Sequence, residues 1–99
     1  MSFTRYAVFV TPAPGPLADF CAAWLGWDAS AGEGRAHPDI GPLPRPVAAI
    51  TATPRKYGFH GTVKPPFRLA DGTTEAGLRD ALAALCADSP AVDAGRLEV

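Results

Sequence analysis

Between Pro54 and Phe67 the chain reads Pro-Arg-Lys-Tyr-Gly-Phe-His-Gly-Thr-Val-Lys-Pro-Pro-Phe, and an imidazole, a hydroxyl and an ammonium recur there at every second position: His60, Thr62 and Lys64. In extended backbone, residues i and i+2 project from the same face. The spacing therefore predicts the three groups side by side. Neutral imidazole can take a proton from water or an alcohol, and imidazolium can protonate a leaving oxygen, both near neutral pH. A threonine hydroxyl can donate to a phosphoryl oxygen, and a lysine offsets negative charge developing in a transition state. The trio suits phosphate chemistry. Phe59 and Val63 fall on the opposite face, so a one-residue slip would bury the polar row and expose Phe59. In-line displacement at phosphorus wants an acid and a base on opposite sides, and one histidine supplies only one of them. His37, in a Pro/Gly-rich loop, is a poor second. His-x-Thr by itself also arises by chance, and a strand-face histidine bonded to a neighbour would look the same.

The surrounding pattern predicts the elements that hold this row. Phe3 to Val10 alternates as a strand does, and Pro12, Pro14 and Pro16 stop it. From Pro16 to Leu25, Leu17, Phe20, Cys21, Trp24 and Leu25 fall on one helical face, with Pro16 in the first turn and Gly26 as the C-terminal cap. Trp27 to Pro46 has no clean period and reads as a long connection. Val47 to Ile50 fits a short helix or a strand equally well. Tyr57 to Val63 reads as a second strand, halted by Pro65-Pro66. A second helix is expected from about Thr74 to Ala87, with Leu78, Ala81, Leu82, Leu85 and Cys86 on its apolar stripe. Thr73 or Thr74 can cap it, and Glu75 suits the positive end of its dipole. Val92 to Val99 reads as a third strand. The order is β-α-loop-β-α-β, an α+β fold with two helices on one face of a mainly antiparallel sheet. The other face is left open to a ligand or to residues outside this chain.

Composition narrows the function. The 99 residues suit one domain. At 47% hydrophobic and 19% charged, the chain is globular rather than disordered. No acid lies between Ile40 and Ala70, where Arg45, Arg55, Lys56, Lys64 and Arg68 make a segment of +5 in a chain of net charge -1. A local positive stretch in an acidic chain fits a small phosphate-containing ligand better than a nucleic acid. Interleaved Tyr57, Phe59 and Phe67 resemble a stacking surface for RNA, but core packing accounts for most of them. Cys21 and Cys86 lack metal-ligand spacing and read as small, reduced core residues of a cytoplasmic protein. No apolar run spans a bilayer, and no signal peptide is visible.

Three segments carry a family resemblance: Arg5-Tyr-Ala-Val-Phe-Val, Phe20-Cys-Ala-Ala-Trp-Leu-Gly-Trp-Asp28 and Pro54 to Leu69. Together they resemble the 2H phosphoesterases, in particular the phosphonate metabolism-associated subfamily with domain of unknown function 1045, also called 2′-5′ RNA ligase-like. The resemblance implies two similar lobes around a cleft, each supplying one His-x-Thr/Ser on a strand. It implies acid–base cleavage of cyclic phosphodiesters without metal or other cofactor. On that pattern His60 is one of the two catalytic histidines and Thr62 binds phosphate, with Lys64, Tyr57 and Arg5 nearby in the cleft. No second His-x-Thr/Ser follows Thr62. The expectation is an N-terminal lobe, a single incomplete domain over residues 1–99, inactive alone unless a homodimer or a separate second-lobe chain completes it. A phosphate-binding module without turnover and a structural remnant are the alternatives.

Overall fold

The computed structural model describes residues 3–99, and those residues form an α+β arrangement of three helices and two small antiparallel sheets. In chain order these are β1 (Tyr6–Val10), α1 (Pro16–Leu25), β2 (Trp27–Asp28), β3 (Glu33–Gly34), α2 (Val47–Ile50), β4 (Gly61–Phe67) and α3 (Glu75–Asp88), with a 3-10 turn at Pro54–Lys56 ahead of β4. The chain divides into two compact units. One comprises Ala7–Pro66; the other comprises the residues up to Tyr6 together with Phe67–Val99. No described helix is long and apolar enough to cross a membrane.

The Ala7–Pro66 unit is organised around α1. The expected helix forms over its expected length, with Pro16 in its first turn and Gly26, at φ 80°, closing its end. The Gly26 N–H donates to the carbonyls of Ala22 and Ala23. Two side chains cap the next carbonyls: His37 Nδ1 lies 3.1 Å from the Trp24 oxygen, and Arg55 Nε donates to the Leu25 oxygen at 2.6 Å. A cation at the negative end of a helix dipole is favourable. The same guanidinium donates through Nη2 to the Ala48 carbonyl at 2.7 Å and to Thr51 Oγ1 at 2.9 Å, tying α2 to the end of α1. Only Cys21 and Leu25 of the apolar stripe are buried; Leu17 and Phe20 stay more than half exposed.

Strands β1 and β4 pair with each other. Phe9, near the end of β1, stacks on His60, just ahead of β4, while Tyr6 at the start of β1 meets Phe67 at the end of β4. Opposite ends meet, so the strands are antiparallel.

Several expectations need correction. The second strand runs from Gly61 to Phe67, not from Tyr57 to Val63. Pro54 starts a 3-10 turn, which leaves Tyr57 in a turn and Phe59 in a bend. The strand also continues through Pro65-Pro66: N–H groups of successive strand residues point to opposite edges, so in a two-stranded ribbon one of these prolines has its missing donor on the open edge and the other forgoes one donor toward β1. The long connection contains a hairpin, with Trp27 opposite Gly34 and Asp28 opposite Glu33. Val47–Ile50 is helical. Val92 to Val99 forms no strand: it has no described partner to pair with, and Leu97 and Val99 are fully exposed. Cys86 is exposed rather than in a core, since Leu85 beside it is also uncovered. Cys21 is buried as expected, and that burial pushes its thiol pKa up.

In the second unit, α3 starts at Thr74, whose Oγ1 accepts the Gly77 N–H at 3.1 Å. Thr73 instead donates its hydroxyl to the Ala70 carbonyl. Glu75 in the first turn pairs with Arg79 at 3.0 Å and accepts from the Tyr6 hydroxyl at 3.4 Å. Thr74→Ala should therefore lower the stability of α3 by about 1 kcal/mol, read as a lower midpoint in urea-induced loss of helical circular dichroism, while Thr73→Ala costs less.

Candidate functional site

His60 sits immediately ahead of β4, half-buried, with its ring stacked on Phe9 at 3.9 Å between centroids and 26° between planes. Its Nδ1 lies 2.9 Å from the Gly58 carbonyl oxygen. A carbonyl can only accept, so this contact is a hydrogen bond only when Nδ1 carries a proton, and it favours the tautomer whose lone pair sits on Nε2. Among the described residues no buried side-chain nitrogen or oxygen lacks a partner, and the ring's hydrogen bond is the one at Nδ1. Nε2 is therefore not sealed from solvent. An open basic nitrogen is what general base catalysis needs.

Thr62 and Lys64 lie within β4, both exposed and on one face by the two-residue period. Gly61 separates Thr62 from His60 and lets β1 approach closely: a Cβ there would stand 3.0 Å from Val10 Cγ1. Tyr57 is 63% exposed, in the turn before Gly58. Arg5 is exposed and belongs to the other unit. Thr62 and Lys64 thus lie on β4 and His60 immediately precedes it, outside the strand expected to hold it, whereas Tyr57 lies in the turn before and Arg5 is not part of the same unit.

Two groups read from sequence as free cations or spare histidines have structural work. Arg55 is engaged three times at the end of α1, which removes it from the electropositive segment offered to a ligand. His37 is held against the Trp24 carbonyl. Neither role has a signal in sequence, because each depends on where α1 ends relative to residues 12 to 30 positions later.

The hairpin beside the site has its own electrostatics. Asp28 Oδ1 accepts the N–H groups of Ser30 and Ala31 at 3.0 and 3.1 Å, and Oδ2 takes Arg35 Nη2 at 2.5 Å. The Ala31 N–H, then the Arg35 guanidinium, hold the Asp28 carboxyl below the ordinary aspartate pKa. A carboxyl lowered on folding stabilises the folded state above its unfolded pKa, and that contribution disappears as pH falls through the lowered value. The hairpin should loosen as pH drops below about 4, seen as loss of protection of the Ser30 and Ala31 amides. In Asp28→Asn the hairpin should be weaker at neutral pH and lack this acid step. Behind the hairpin lies a hollow of ≈ 530 Å³, bordered by Thr11, Cys21, Asp28, Arg35 and Phe59; His60 and Thr62 do not line it.

A family model described as "Protein of unknown function (DUF1045)" matches residues 62–99, which includes Thr62 and Lys64 and begins two residues after His60. The chain is also 39% identical over 93 residues to the ribose 1,5-bisphosphate phosphokinase PhnN of Janthinobacterium sp. (strain Marseille), a match covering 92% of this chain and 20% of that protein. A protein of the same name from Laribacter hongkongensis (strain HLHK9) is 37% identical over 92 residues, covering 82% of this chain and 20% of the relative. The chain thus spans about a fifth of the length of the curated relatives it matches. No solved structure matches.

Proposed function

We propose that this chain supplies one half of a metal-independent phosphoesterase site of the 2H type, acting on a small cyclic phosphodiester. The observation that carries the reading is His60 with Nδ1 tied to a carbonyl and Nε2 open, at the head of the strand that presents Thr62 and Lys64. In hydrolysis, water oxygen bonds to phosphorus and one ring P–O bond breaks. His60 Nε2 takes the proton of the attacking water, or in its protonated form gives one to the departing oxygen. Thr62 donates to a phosphoryl oxygen, and Lys64 stabilises the charge that builds there. One imidazole serves one end of the displacement. The second acid–base group comes from another lobe or from a second copy of this chain. Tyr57, in the same unit as His60, is proposed as an outer ligand contact.

The match to the DUF1045 model favours the subfamily that the sequence resembles, and with it a link to phosphonate metabolism. The name of the two relatives refers to a phosphorylated ribose, which agrees with a small phosphorylated ligand. Phosphoryl transfer from a nucleotide is not assigned to this segment, which contains no Gly-rich loop ending in Gly-Lys-Ser/Thr. The test is hydrolysis of a nucleoside 2′,3′-cyclic monophosphate, in excess chelator, by the chain together with the lobe or second copy that completes the site. Turnover that persists in chelator and depends on His60 is expected. Turnover that vanishes with chelator and returns with a divalent cation contradicts the reading.

A further inference from the structure

Gly58 is buried and left-handed, at φ 74°, two residues ahead of His60. It lies against the turn of the β2–β3 hairpin: a Cβ on Gly58 would stand 2.7 Å from the Ala29 Cβ, too close for any side chain. Its carbonyl is the acceptor for His60 Nδ1. The hairpin is itself fastened by the Trp27–Gly34 and Asp28–Glu33 pairing, by the two amides on Asp28 Oδ1, and by the Asp28–Arg35 ion pair. A continuous line of contacts therefore runs from the hairpin through Ala29 and Gly58 to the imidazole, all within the Ala7–Pro66 unit.

We infer that the β2–β3 hairpin is a positioning element for His60: Ala29 fixes the Gly58 peptide so that its carbonyl claims the Nδ1 proton, and Phe9 fixes the ring plane, which makes Nε2 the working nitrogen. The inference rests on the reading of His60 as an acid–base group for its purpose, but not for its geometry. Ala29, Gly58 and Phe9 are positioning residues; none needs to touch substrate. The arrangement matters because a free imidazole exchanges its proton between the two nitrogens. A ring whose Nε2 carries the proton cannot act as a base there. A second contact holding one tautomer keeps the reactive nitrogen basic in every neutral molecule.

The test is the nitrogen-15 spectrum of the imidazole in the full chain, at a pH where the ring is neutral. The expected result is a pyrrole-type shift at Nδ1 and a pyridine-type shift at Nε2. A dominant Nε2–H form overturns the proposal. Ala29→Gly removes the methyl that backs Gly58 at an exposed turn position. It should move the two shifts toward each other as the tautomers mix. Shifts unchanged in Ala29→Gly, with the hairpin amides still in place, overturn the role of the hairpin. The wild-type spectrum decides the tautomer whether or not the variant folds. Both readouts are independent of turnover. A tautomer as described in a chain without hydrolysis would sink the proposed function and leave this inference standing.

Discussion

In an assembly that holds both acid–base groups, His60→Ala is expected to lower cyclic phosphodiester hydrolysis by about 10²–10⁴-fold, the range typical of a lost general acid or base. The ring has one protein hydrogen bond and one stacking contact, so the substitution removes little that holds the fold. The folded state should be kept, as judged by an unchanged circular dichroism spectrum. Thr62→Val keeps the β-branched shape that suits a strand and removes only the hydroxyl. Its expected loss is about 10²-fold, the cost of one donor aimed at developing charge. The two losses should not add fully, since both residues serve the same phosphoryl group. A His60→Ala chain with wild-type turnover would mean that the activity lies elsewhere or in a contaminant.

The largest effect on stability is expected at Leu25. With a relative exposure of 5%, it is one of two buried apolar side chains among the described residues, the other being Cys21 at 6%. Replacing a buried leucine by alanine costs about 2–5 kcal/mol, through lost transfer energy and the cavity left behind. A small domain has total stability of only about 5–15 kcal/mol. Leu25→Ala should therefore populate the unfolded state visibly at room temperature. Leu17 belongs to the same helical stripe in sequence but is 64% exposed. Leu17→Ala should change stability by no more than about 0.5 kcal/mol. Equal losses at both positions in chemical denaturation would contradict the burial assigned to α1.

The contrast between Leu17 and Leu25 illustrates what the sequence carries and what it does not. Helix α1 was legible because Pro16, the apolar period and Gly26 agree on one segment, and α3 because Thr74 and Glu75 mark its start. The depth of burial along each stripe depends on which neighbours exist, so Leu17 and Phe20 on the apolar face of α1 stay exposed, and Cys86, expected in the core, is exposed too. Strand β4 was legible in existence but not in register with its prolines. A ribbon with one open edge tolerates Pro65 and Pro66 at the loss of one ladder donor, whereas a strand paired on both edges would lose two. The β2–β3 hairpin escaped because strands of two residues carry no period; its order comes from Asp28, whose carboxylate gathers two amides and a guanidinium. Within the candidate site, the types and spacing of His60, Thr62 and Lys64 are what the proposed phosphate chemistry is read from. The direction of the Gly58 carbonyl, which decides the reactive nitrogen, comes from a tertiary contact with Ala29 and has no local signature. Arg55 shows the converse: its charge was legible, and its use as a helix cap was not.

The most direct measurement of the central claim is a titration of the full chain with a nucleoside 2′,3′-cyclic monophosphate, followed by nuclear magnetic resonance at the His60 imidazole and the Thr62 amide and methyl. The account predicts that both respond together, saturate at one ligand concentration, and are displaced in step by inorganic phosphate. Binding that perturbs other residues while these two stay unmoved would contradict it.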